Sequence, residues 1–251
     1  MPSDITSTSG AIDPRGASHA IAFAMKGLEQ RFEIVASNLA NAEIAGHKRL
    51  VGRAESFSAE LERALAGDEE PAAAPVLRDF SQGDLIASDD PSDVALNGPG
   101  FFAVESEGQI KFTRTLHLHP DVDGTLLDDH NGRVLGDGGP LRLAGPLANF
   151  QFENDGTLKT DGADAGRLRV VAFVDPQQLE DLPGGYWRAG DRLEVTGAQG
   201  TQVRQRQREN SNVSALDEMV QLITIQRQYE AAQKALTVES DLRKKLNDGL
   251  H

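Results

Sequence analysis

The chain has 251 residues and carries 39 Asp and Glu against 25 Lys and Arg, a formal net charge of −14. Its 39% hydrophobic and 25% charged residues belong to a folded protein, and with only 5% aromatics the core must rest on Leu, Val, Ile and Ala. The absence of cysteine excludes disulfides, thiolate metal sites and a Cys nucleophile, while the acidic balance argues against a general nucleic-acid binder.

No run of apolar residues is long enough for a membrane span, so no membrane insertion is expected. The first ten residues lack the basic-then-apolar order of a cleaved signal peptide, which argues against the usual secretory route. Ile21, Met25, Leu28, Phe32, Val35 and Leu39 are spaced 4, 3, 4, 3 and 4 apart, a heptad seam. The pattern predicts a helix from about Ser18 to Asn41, some 36 Å long at about 1.5 Å per residue, with Gly46 beyond it as a stop signal. Phe57, Leu61 and Leu65 indicate a short amphipathic helix, and residues 63–76, rich in Ala, Pro and acid, read as a linker.

From residue 77 the pattern changes to short apolar runs broken by Gly, Asp and Pro. Residues 94–96, 101–104, 109–112, 168–173 and 192–195 read as strands. Asp123-Gly124, Asn131-Gly132, Asp137-Gly138, Asp155-Gly156 and Asp161-Gly162 supply the positive φ angles of tight hairpins, and Asp-Gly-Thr-Leu occurs twice, at 123–126 and 155–158. An antiparallel meander or small barrel follows. The last helix opens at Ser214, with Asp217 three residues on as in a capping box. Leu222, Ile225, Tyr229, Ala232 and Leu236 form its seam, which Leu216 and Met219 precede, and about 34 residues of helix are expected. The fold class is therefore α+β: long N- and C-terminal helices pairing as a coiled coil, with an inserted antiparallel β-rich domain. Its segments are an N-terminal helical part (1–50), a short helix and linker (51–76), an acidic β-rich core (77–209) and a C-terminal helical part (210–251). Charge follows this plan: residues 1–66 have 8 acids and 7 bases, residues 201–251 have 7 and 8, and residues 67–200 have 24 and 10.

Chemical motifs are sparse. Gly98-Pro-Gly100 precedes a strand-like run, whereas a dinucleotide fingerprint opens a helix, so a tight turn is the better reading. His117 and His119 stand two apart on one strand face with His130 nearby, a possible start of a zinc site that lacks a defined further ligand. Arg204, Arg206 and Arg208 alternate with Gln, which on one strand makes a one-sided basic ladder. No nucleophile elbow is present, and paired carboxylates in an acidic domain discriminate nothing.

Three stretches carry a resemblance. Phe32-Glu-Ile-Val-Ala-Ser-Asn38-Leu39-Ala40-Asn41 is followed by Gly46-His47-Lys48-Arg49. The central stretch 92–104 contains Asp93, Gly98, Gly100, Phe101 and Phe102 and leads to Thr113-Arg114 and Val134-Leu-Gly136. Ser211-Asn212-Val213, Glu218-Met219, Ile223 and Arg227-Gln-Tyr229-Glu230 close the chain. Together they resemble the signatures of bacterial flagellar axial proteins, the rod and hook family. Against the family pattern His47 stands where Phe is common, Arg206-Gln-Arg-Glu209 replaces Gly-x-Leu-Glu, and the Gly usual after Thr-Arg is missing at Thr115-Leu116.

The resemblance implies a structural subunit with no enzymatic activity, no cofactor and no small-molecule substrate. Such proteins are exported unfolded through the flagellar type III apparatus and assemble in the periplasm, with copies of themselves and homologous rod subunits, into a helical tube lined by terminal helices. Chain length and the single modest central domain favour a rod protein over the larger hook subunit; among rod proteins the proximal one is expected before the distal. Two other functions compete from the residues alone: a metal- or ligand-binding β module, and a rod-associated peptidoglycan hydrolase.

Overall fold

The computed structural model describes residues 14–52, 76–143, 150–190, 193 and 195–248. The chain divides into two compact units. One comprises Met1–Ser37, Val51–Val76 and Leu216–His251, and the other Asn38–Leu50 and Leu77–Ala215. The fold is α+β, with a β-rich domain and a long C-terminal helix.

The helical unit is built on α1 (Pro14–Ala40) and α2 (Ala215–Asp248). α2 runs 34 residues and begins directly after Ser214, with Asp217 and Glu218 in its first turn, where the positive end of the helix dipole favours acids. Leu28 and Val35 of α1 are buried in one cluster with Ile225 of α2, against which Leu222 and Tyr229 pack. Farther along, Ser18 donates to Glu239 at 2.8 Å, and Tyr229 donates to Glu29 at 3.3 Å. The buried row of α1 also includes Ala20 and Ala24, while Phe32, placed on the seam by spacing, is 40% exposed. The short helix read from Phe57, Leu61 and Leu65 lies outside the described residues.

The β unit has many short strands. In order they are β1 (Leu50–Val51), β2 (Leu77–Arg78), β3 (Leu85–Ala87), β4 (Asp93–Asn97), β5 (Phe101–Ser106), β6 (Gln109–Thr113) and β7 (Thr115–His117). There follow β8 (His119–Pro120), β9 (Leu126–Leu127), β10 (Arg133–Gly136), β11 (Gly139–Pro140), β12 (Phe150–Phe152), β13 (Thr157–Thr160) and β14 (Ala163–Arg167). The last are β15 (Val170–Phe173), β16 (Glu180–Leu182), β17 (Tyr186–Arg188), β18 (Val195–Gly197), β19 (Gln202–Gln205) and β20 (Gln207–Glu209). The largest sheet runs β16-β17-β6-β5-β10-β9-β8, with β11 on β10 and β15 joining β5 to β18. Smaller sheets are β12-β13-β14, β19-β4-β7 and β20-β3, and every pairing whose register is defined is antiparallel.

β5 explains why Gly-Phe-Phe-Ala-Val is apolar without alternation. Its side chains point in turn to opposite faces, and both faces are buried. Phe102 and Val104 enter one core with Val94, Leu96, Leu126, Leu158 and Val203. Phe101 and Ala103 enter a second with Phe112, Phe173 and Trp187. In that second core Phe101 meets Trp187 edge-on at 5.3 Å, and Phe112 meets Phe173 at 4.9 Å. Gly100 leads in at φ +130, where a Cβ would stand 2.9 Å from Ala198 Cβ, so the Gly-Pro-Gly stretch is a turn entering a strand.

One strand reading is corrected. Arg204, Arg206 and Arg208 do not form a single ladder, because Arg206 has φ 59 and breaks the strand into β19 and β20. Its N–H donates to Asp93 O and its carbonyl accepts from Ser88 N, so β19 pairs with β4 and β20 with β3. Of the strand read at 192–195, Arg192 and Glu194 lie outside the described residues and β18 starts at Val195.

Candidate functional site

Several of the signature residues, Asn38, Lys48, Arg49, Arg114 and Asn212, meet where the chain passes into the β unit, at 38–50, and out of it, at 207–213. Asn38 is fully buried, and its amide copies a strand neighbour: Oδ1 accepts Leu50 N–H at 2.7 Å and Nδ2 donates to Leu50 O at 2.9 Å. Asn212 does the same for the outgoing segment. Its Oδ1 accepts Arg49 N–H at 2.7 Å, and its Nδ2 donates to Asp79 O at 2.8 Å and Ser81 O at 3.1 Å. Each amide satisfies backbone groups that have no ladder partner there.

Between these two clasps lies a buried ionic cluster. Lys48 and Glu209 are both fully buried, with Nζ 2.5 Å from Oε1. Lys48 also donates to Ser81 O at 2.6 Å, and Gly83 N–H donates to Glu209 Oε1 at 3.2 Å. The other carboxylate oxygen accepts from Arg114 Nε at 2.9 Å, and Arg114 Nη1 donates to Gly100 O. Burial pushes the pKa of Lys48 down, and the adjacent Glu209 opposes that shift. Gly46, at φ +70, donates to Glu209 O at 2.7 Å, and a Cβ on it would press Arg114 Cβ at 3.3 Å. Thr113 is buried and donates to Thr115 O at 3.1 Å. Glu209 was absent from the residues picked out by sequence. The only hint was that it ends the stretch where the family pattern also ends in Glu.

The three imidazoles are dispersed. His117 Nδ1 lies 2.8 Å from Asp93, His119 Nε2 lies 3.4 Å from Asn131, and His130 Nδ1 lies 3.2 Å from the Tyr186 hydroxyl. Among the described residues no group of three His, Cys, Asp or Glu is placed to hold a metal ion. Asp93 instead ties together Ser88, His117 and Arg208, at 2.5, 2.8 and 3.8 Å. Tyr186 donates to Asp128 at 2.8 Å, and burial beside that carboxylate raises its phenol far above the usual range. These contacts fasten turns to strands.

The helical signature residues divide between two sides of α2. Glu218, Ile225 and Ala232 are buried and Leu222, Tyr229 and Leu236 half-buried. Leu216, Met219, Val220 and Ile223 are 73%, 49%, 56% and 50% exposed, on the opposite side, where Arg227 and Glu230 are exposed too. On α1, Ile21, Met25 and Leu39 are half-buried and Ala40 exposed. Ser211 accepts from Val213 N–H at 3.2 Å at the approach to α2.

Residues 204–248 match the family described as flagellar basal body rod FlgEFG protein, C-terminal. The chain is 28% identical over 224 residues to the flagellar basal-body rod protein FlgF of Caulobacter vibrioides, covering 86% of this chain and 89% of that one. It is 30% identical over 186 residues to FlgG of Buchnera aphidicola subsp. Schizaphis graminum, covering 67% and 68%. With FlgG of Bacillus subtilis the identity is 22% over 251 residues, 88% of this chain and 94% of the relative. The clasps, the ionic cluster and the two-sided C-terminal helix are thus those of a chain that belongs to the flagellar basal-body rod protein family.

Proposed function

We propose that the chain is a non-enzymatic structural subunit that assembles, with copies of itself and homologous rod subunits, into the helical tube of the rod, and that it transmits torque there. The observation that carries this reading is the row Leu216, Met219, Val220 and Ile223 on the outer side of α2. Four apolar side chains in two turns, facing away from the buried seam, give a helix two apolar faces, and a lone helical pair buries only one. In this reading α1 and α2 pair as a coiled coil through Leu28, Val35, Leu222, Ile225 and Tyr229, and the outer row packs on the next subunit. Export through the flagellar type III apparatus into the periplasm is what the family resemblance implies, and within the rod the proximal position is preferred to the distal.

The test is the double substitution Met219→Asp and Ile223→Asp in a motile strain. Both positions are half exposed, so the isolated chain should keep its stability to within about 1 kcal/mol. Swimming should be lost and basal bodies should stop short of a complete rod. Normal swimming with the double variant in place rules the reading out.

A further inference from the structure

His47 lies between the two clasps, 4% exposed, with no hydrogen-bond partner for Nε2. Its carbonyl accepts from Asn212 N–H at 3.4 Å, and its N–H donates to Ile44 O at 3.1 Å. The turn between β16 and β17 closes over it: a Cβ on Gly185 would stand 2.8 Å from Ala45 O and 3.9 Å from His47 N.

The charges around this ring are already matched. On the β16–β17 hairpin stand Asp181, 3.3 Å from Arg78, and Tyr186, whose phenol stays protonated. Beside β2 are Arg78 itself and Asp79, which accepts Ser81 N–H at 2.9 Å. On its own segment is Lys48, and behind Lys48 stand Glu209 and Arg114. Of these groups Asp181, Arg78 and Lys48 act on the ring, and each is already engaged. A proton on the imidazole adds a further cation at a buried position, next to Lys48. Burial is the main cause that holds its pKa below the ordinary value; Asp181 opposes the shift, and Arg78 and Lys48 add to it.

We propose that His47 is an acid-sensitive release point, at which uptake of a proton drives the imidazole into water and frees residues 42–50 from the β unit. A released or unfolded chain takes up this proton near an ordinary imidazole pKa of about 6.5, and the closed form takes it up only at lower pH. Closure is therefore unaffected above that value and weakens as pH falls below it, by up to about tenfold in the closing equilibrium per pH unit for one proton. The device needs no second subunit, so it stands or falls apart from rod assembly.

The experiment is amide hydrogen exchange on the whole chain at pH 7.5 and 5.5, corrected for the intrinsic pH dependence of exchange. The reporters are Gly46 and Asn212, whose N–H groups bond across the closure. The unaltered chain should lose protection at both amides on acidification, by at most about tenfold, and His47→Phe should lose little. Equal losses in the two proteins, or retained protection in the unaltered chain, overturn the proposal. Should His47→Phe fail to fold, an NMR titration of the His47 ring in the unaltered chain decides. A midpoint clearly below those of the exposed histidines supports release, and an ordinary midpoint overturns it.

Discussion

Glu209 serves two cations at once, and this decides how the buried cluster responds to change. Lys48 reaches one carboxylate oxygen at 2.5 Å and Arg114 the other at 2.9 Å, and Lys48 and Glu209 are fully shielded from water. Breaking a buried pair by removing one charge costs about 3–5 kcal/mol, because the partner stays buried without compensation. Lys48→Met removes an ammonium, keeps most of its volume and leaves Glu209 still paired with Arg114. Glu209→Gln strands two cations. The second substitution is expected to cost more, about 4 kcal/mol against about 2 kcal/mol. Urea titration followed by the fluorescence of Trp187, the single tryptophan and fully buried in the β unit, measures both. The opposite order contradicts the assignment of Glu209 as the shared anion.

The hairpin turns show how far a short motif dictates an element. Both copies of Asp-Gly-Thr-Leu fold alike: Gly124 N–H donates to Asp121 O at 3.1 Å, and Gly156 N–H to Glu153 O at 2.9 Å. Their glycines take φ +78 and +89, and both leucines, Leu126 and Leu158, are fully buried. The surroundings differ. A Cβ on Gly124 would stand 2.5 Å from Leu143 O, whereas one on Gly156 meets the Val203 methyl at 3.3 Å. Alanine pays the left-handed backbone cost, about 1–2 kcal/mol, at either site. Gly124→Ala adds a clash with backbone, so it should destabilise by about 2 kcal/mol more than Gly156→Ala in the same titration. Similar losses at both positions show that the Leu143 contact is not limiting. Turns of this kind were legible because their cause is local, although at Asp137-Gly138 the left-handed residue is Gly139, at φ 117. The span of α2 was legible from its heptads, and the strandlike run at Phe101 from its apolar residues. The break at Arg206 was not, since Arg has no preference for φ 59 and the break is imposed by bonds to Asp93 and Ser88. Nor was the Lys48–Glu209 pair, whose members are 161 residues apart and carry no spacing signal. Ala20 and Ala24 escaped the α1 seam because a methyl group contributes little to a hydrophobic pattern.

At the scale of the whole chain, charge and buried surface are both unevenly distributed. α1 has two acids and three bases and α2 six and five, so the helices together are neutral, and the remaining segments hold all of the −14. Among the described residues, the cluster the two helices share has three buried apolar residues, Leu28, Val35 and Ile225. The β unit has two cores, one of fifteen buried residues and one of eight. At about 1.5–3 kcal/mol for each large apolar side chain buried, the described residues of the helical unit contribute much less than those of the β unit. Regions with few buried contacts open at lower free energy than the global transition. The isolated chain should therefore unfold in two steps. Circular dichroism at 222 nm, dominated by α1 and α2, should fall first, and the fluorescence of Trp187 should change only at higher temperature or urea. A charge placed in the seam, Ile225→Asp, should move the first transition down and leave the Trp187 transition in place, since Ile225 belongs to the helical unit and Trp187 to the other. Superimposable transitions by the two probes, or a Trp187 midpoint that follows Ile225→Asp, would show that the units unfold as one. A weak helical unit fits the proposed assembly on neighbouring subunits, in which the exposed apolar row at Leu216, Met219, Val220 and Ile223 would add its stabilisation once a second surface covers it.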